Sequence, residues 1–98
     1  MAEGIHVQVK LFGHLRQSSP QQAVELEMPL GSTISDLVST LSERLGDNFR
    51  QALLDSNGNL HGGIEVVLNE EHLPARKIAA VLLPEDSTVY FVPMIEGG

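Results

Sequence analysis

The 98-residue chain carries thirteen Asp and Glu against six Lys and Arg, a formal charge of −7, and no cysteine. That composition excludes disulfides, thiolate metal ligation and a cysteine nucleophile, and it argues against nucleic acid, which wants a basic face. The longest apolar run, Ile78 to Leu83, falls far short of the ~20 residues of a membrane span, and Met1-Ala2-Glu3-Gly4 shows no secretory pattern, so a cytoplasmic, single-domain protein is expected. Ile5, Val7, Val9 and Leu11 alternate with His6, Gln8 and Lys10, the period-two pattern of a half-buried strand. After a polar loop from Gln17 to Gln22, Val24, Leu26 and Met28 alternate with Glu25 and Glu27. This second strand is most simply the antiparallel partner of the first.

Pro29-Leu30-Gly31 breaks the alternation. Thr33 suits a helix N-cap, with Asp36 placed to meet the first-turn amides. Ile34, Leu37, Val38, Leu41 and Leu45 follow at helical spacing, and Gly46 supplies the stop. Asn48 to Leu54 reads as a short second helix. Asp55-Ser56-Asn57-Gly58-Asn59 is a turn, Ile64 to Leu68 a strand, and Asn69-Glu70-Glu71 another turn. Leu73 to Leu83 is ambiguous, punctuated by Pro74 and Pro84. Thr88 to Pro93 closes as a strand, with Val89 and Phe91 on one face and Tyr90 and Val92 on the other. The order predicts an α+β fold of the β-grasp type: a small mixed sheet packed on one main helix plus a short second helix. Residues 1–93 form the domain, and 94–98 are expected to be a flexible tail ending in Gly97-Gly98.

The remaining constellations carry little chemistry. Asp55, Asn57 and Asn59 sit at calcium-loop spacing, but the glycine comes too early and Val66 stands where a bidentate Glu belongs; an Asn-Gly turn accounts for them. His6, His14, His61 and His72 are scattered, and Asn69-Glu70-Glu71-His72 reads as a solvated turn rather than a metal site. No serine lies in a nucleophile elbow, so no catalytic residue is assigned. The acidic balance fits either a basic protein partner or plain solubility. The tail also has two readings. Pro93 has no amide hydrogen to give a ladder, so Met94 and Ile95 either fold back on the core or stand exposed as anchors for a partner. Gly97 and Gly98, lacking Cβ atoms, leave a terminal carboxylate that can thread a narrow cleft.

Five stretches resemble the ubiquitin-like sulfur carriers of the MoaD/ThiS type, and most of all MoaD, the small subunit of molybdopterin synthase. They are Val9 to Arg16 as an opening strand ending in an aromatic and a small residue, Gly31 to Leu37 as the helix entry, and Leu53 to Leu60 as the turn after the second helix. Val66-Val67-Leu68-Asn69 and Val89 through Gly98 complete the set, so the likeness runs along essentially the whole chain. It departs from the family at Leu83-Pro84-Glu85-Asp86-Ser87, where Leu-x-x-Gly-Asp is usual, at Met94, where a second proline is frequent, and at Glu96, where a small residue is common.

The resemblance implies a carrier with no catalysis and no bound cofactor of its own. An adenylating enzyme of the ubiquitin-activating type (MoeB/ThiF-like) would use ATP to activate the Gly98 carboxylate. A sulfur donor would then leave a thiocarboxylate there, for delivery to a client such as the molybdopterin synthase large subunit. Gly97 would give access, and Phe12, Val92, Met94 and Ile95 would form the apolar contact surface. Two other functions stay open: a protein modifier joined to lysines through Gly98, and a β-grasp interaction module that is never activated.

Overall fold

The computed structural model describes residues 4–19 and 23–93. Over them the chain forms strand β1 (Gly4–Leu11), helix α1 (Gly13–Ser18), β2 (Ala23–Pro29), α2 (Ile34–Arg44), α3 (Asp47–Leu53), β3 (Ile64–Leu68), β4 (Glu71–Leu73), a 3-10 helix (Ala75–Ala80) and β5 (Ser87–Pro93). The strands make one mixed sheet in the order β2-β1-β5-β3-β4. β1 and β2 are antiparallel, as the alternation predicts, while β5 returns parallel to β1 and antiparallel to β3. The last strand therefore runs up the middle of the sheet, which is the β-grasp arrangement.

Alternation decides which side of the sheet is dry. Ile5, Val7, Val9 and Leu11 of β1, Val24, Leu26 and Met28 of β2, Ile64, Val66 and Leu68 of β3, and Val89 and Phe91 of β5 are all buried. They join Leu15, Leu37, Leu41, Phe49 and Leu53 from the helices in one cluster, so the helices cover this face and leave the other open. α2 starts on the expected cap: Thr33 Oγ1 accepts from the Asp36 amide at 3.1 Å, and Asp36 Oδ2 accepts from the Thr33 amide at 2.9 Å. Gly46 takes φ +96° just past the α2 C-cap, where a left-handed residue ends a helix without a Cβ penalty.

Several boundaries differ from the sequence reading. The opening strand stops at Leu11, and α1 occupies Gly13–Ser18, running into the segment that its polarity assigns to a loop. The helix is too short to show periodicity, and Leu15 is its one buried residue. α3 begins one residue earlier than expected, at Asp47, and Glu71 belongs to β4 rather than to the preceding turn. The ambiguous stretch after Leu73 contains the 3-10 helix. The expected tail, 94–98, lies outside the described residues. None of the described helices is long and apolar enough to cross a membrane.

Two left-handed polar residues hold the start of β5. Asn69 (φ +56°) donates its amide to the Thr88 carbonyl at 2.7 Å and accepts the Thr88 amide on Oδ1 at 3.0 Å. Asp86 takes φ +60°, a conformation natural to glycine and tolerated by Asp. Next to it, the buried Ser87 hydroxyl donates to the Pro84 carbonyl. At the departure from Leu-x-x-Gly-Asp, the turn is thus left-handed without a glycine.

Candidate functional site

Because β5 is central, its outward residues Thr88, Tyr90 and Val92 lie along the middle of the open face. Residues opposite one another in register share a face, so Lys10 on β1 and Val67 on β3 flank Tyr90, and Glu65 flanks Val92. Phe12 follows β1 in extended backbone (φ −132°, ψ 159°). Its ring stacks on Tyr90 with centroids 6.2 Å apart and planes inclined by 17°. Lys10 Nζ lies 6.0 Å from the Tyr90 ring centroid, within range of a cation–π contact. Phe12 remains 39% exposed, a large apolar ring facing solvent.

The open face changes character along its length. Near the end of β5 it presents Phe12, Tyr90, Val92 and Val67, with a Glu65–His72 pair at 2.9 Å on the β4 side. Toward the start of β5 it forms a shallow trough of about 590 Å³ lined by His6, Gln8, Glu25, Glu27, Asp86 and Thr88. There Gln8 Nε2 donates to Glu25 Oε2 at 3.2 Å. The apolar end and the acidic end are on one surface, a pattern that suits a protein partner carrying an apolar patch bordered by basic groups.

β5 carries the chain to Pro93, the last described residue, at the apolar end. Pro93 sits opposite Ile64 in the sheet. It also packs against Gly13, where a Cβ, if the residue had one, would lie 3.1 Å from the proline Cγ. On the helical side, Pro93 borders a groove of about 370 Å³ with His14, Gln51, Ala52, His61, Gly63 and Ile64.

Of the residues singled out in the sequence, Phe12 and Val92 both lie at the apolar end, Phe12 stacked on Tyr90. Met94, Ile95, Gly97 and Gly98 fall outside the described residues. Sequence reasoning did not assign Tyr90, Lys10 or Gly13 to the site. The alternation of β5 already put Tyr90 beside Val92, whereas Lys10 and Gly13 join the site only through the parallel pairing of β1 with β5. Elsewhere, Asp55 Oδ1 accepts from the amides of Asn57 and Asn59 at 2.9 and 3.0 Å, closing an Asx-type turn with Gly58 at φ +85°. Among the described residues, no group of three or more His, Asp or Glu is placed to hold a metal ion.

The ThiS family matches residues 9–98, through the final glycine. No curated protein matches the sequence. Among solved structures, the chain is similar to SAMP1 of Haloferax volcanii at TM-score 0.82 and 18% identity, covering 95% of this chain and 99% of that one. It is similar to Urm1 of Trypanosoma brucei at TM-score 0.76 and 22% identity over 100% of both chains. A putative molybdopterin converting factor, subunit 1, of Pyrococcus furiosus gives TM-score 0.72 at 19% identity, covering 93% and 99%. These likenesses concern the fold, and the family match supplies the rest. With a β-grasp sheet whose central strand leads toward a Gly-Gly end, and a family match that reaches that end, the chain belongs to the ThiS family of ubiquitin-like sulfur carriers.

Proposed function

We propose that this protein carries sulfur as a thiocarboxylate on Gly98 and serves, in the cytoplasm, the synthesis of molybdopterin. The observation that carries the reading is the family match through Gly98, on a strand that exits beside an exposed apolar surface. The chemistry follows from the leaving group. A carboxylate resists attack because oxide is expelled poorly. Transfer of AMP from ATP, with release of pyrophosphate, gives an acyl-adenylate whose phosphate leaves readily. A sulfur nucleophile then adds to the acyl carbon and AMP departs, leaving C–S in place of C–O. ATP belongs to the activating partner, a MoeB/ThiF-like enzyme, and the carrier contributes binding surface and terminus without catalysis.

On this reading Phe12, Val92, Met94 and Ile95 form the contact surface, joined by Tyr90, on which Phe12 stacks. Gly97 and Gly98 enter the partner's active site, where the absence of Cβ atoms permits a narrow channel. The client is the molybdopterin synthase large subunit, a choice supported by the resemblance to MoaD and by the fold shared with the Pyrococcus furiosus protein. A second reading, a modifier joined to lysines through Gly98, draws on the fold shared with Haloferax volcanii SAMP1, a small archaeal modifier protein.

The test is mass analysis of the protein from its own cells, intact and as the C-terminal peptide, before and after thiol alkylation. The chain has no cysteine, so an alkylated terminal peptide identifies a thiocarboxylate. Alkylation separates it from oxidation of Met1, Met28 or Met94, which changes the mass almost equally. Gly98 linked to lysines of other proteins supports the modifier. A plain carboxylate throughout rejects both readings and favours an interaction module.

A further inference from the structure

We infer that Gly13 is a positioning residue: it sets the place of Pro93 relative to the Phe12–Tyr90 surface, and so governs how well the terminus reaches an activating enzyme already docked on that surface. The inference rests on the sulfur-carrier reading for its consequence, but its geometry stands apart from it. Gly13 has φ +60°, in the left-handed region where side chains are strained. This turn does two things at once. It ends the extended backbone of Phe12, leaving that ring stacked on Tyr90. It also brings a residue without a side chain against Pro93, with 3.1 Å between the proline Cγ and the place a Cβ would take. That spacing is too tight for a methyl group unless the proline ring or the turn gives by a few tenths of an ångström.

Neither neighbour can give without consequence. Pro93 is held in register opposite Ile64 by β5, and the turn is tied to α1, whose Leu15 is fully buried. A side chain at position 13 would therefore shift Pro93 with respect to Phe12. A partner that grips the open face and draws in the terminus reads that relation directly, and reacting groups displaced by even about 1 Å can lose up to about a hundredfold in rate.

Gly31 supplies the control. It is also left-handed, at φ +93°, but has nothing within 4 Å of its missing Cβ. It follows β2 beyond Pro29, which pairs with Gly4 at the far end of β1 from Gly13. Gly31→Ala thus imposes backbone strain without touching the exit. In the producing cells, Gly13→Ala is expected to lower the fraction of alkylatable terminus by about fivefold or more, while Gly31→Ala leaves it near wild type at comparable thermal destabilisation. Pro93→Ala removes the ring that clashes, so Gly13→Ala in that background should cost less than about twofold. Wild-type labelling by Gly13→Ala, equal losses in both glycine variants, or no relief by Pro93→Ala each overturn the inference. NMR tests the geometry without reference to sulfur: Gly13→Ala should shift the amide signals of Ile64 and Val92, and Gly31→Ala should not. If wild type carries no sulfur, the function fails while these spectra still decide whether Gly13 places Pro93; unmoved signals reject it.

Discussion

Tyr90 and Phe91 are adjacent on β5, yet they belong to different kinds of structure. Phe91 is completely buried among residues from the strands and helices. Tyr90 stands on the open face, stacked on a ring that is itself exposed and flanked by Lys10. The buried face binds the elements to each other. The open face leaves apolar area in water near the end of β5, with an acidic trough at the opposite end of the same strand. On the proposed function, one strand serves stability with Val89 and Phe91 and recognition with Tyr90 and Val92, so stability and binding should respond to separate substitutions.

That separation can be broken at three points. The largest effect is expected for Phe91→Ala, which leaves a cavity in the middle of the sheet and should cost about 3–5 kcal/mol in denaturant unfolding. A loss below about 1 kcal/mol would mean the core is not organised around β5. Asp86→Val should follow, at about 1–2 kcal/mol, because a β-branched residue is poorly accommodated at φ +60°. Asp86→Gly should stay within about 0.5 kcal/mol of wild type, relief of strain being offset by a freer unfolded chain. Equal costs for Val and Gly would show that the turn is not left-handed in solution. The smallest effect on stability belongs to Tyr90→Ala, about 1 kcal/mol from the lost aromatic stack. The same change should weaken binding of the activating enzyme about tenfold or more, as loss of a central interface aromatic does. Unchanged affinity would move the docking surface elsewhere.

The acidic trough sharpens the comparison from the electrostatic side. Glu25→Lys with Glu27→Lys alters two exposed residues on β2 and should leave the fold intact. If the partner approaches with basic groups, association should slow and lose its salt dependence. If the charge only maintains solubility, association rates should not move.

Much of this architecture is legible along the chain because the responsible forces are local. Alternation exposes the strands, since a one-residue slip would turn every apolar side chain to water. The reciprocal bonds of Thr33 and Asp36 need only a spacing of three. α1 and the 3-10 helix escape the pattern for the converse reason. Each spans six residues, too few for a period to show, and isolated helices that short do not hold without tertiary packing. Asp86 reads as a departure from a family pattern until its backbone shows that it adopts the conformation glycine would.

By itself, then, the sequence determined the strand faces, the main helix with its cap and stop, the β-grasp class, and the family to which the chain belongs. Tertiary structure alone decided that β5 lies parallel to β1 in the centre of the sheet. It also decided that Phe12 meets Tyr90, and that Gly13 rests against Pro93. The reason is physical. Those contacts join residues about eighty positions apart in the chain, and closing so long a loop yields nothing until the hydrophobic face it completes is buried.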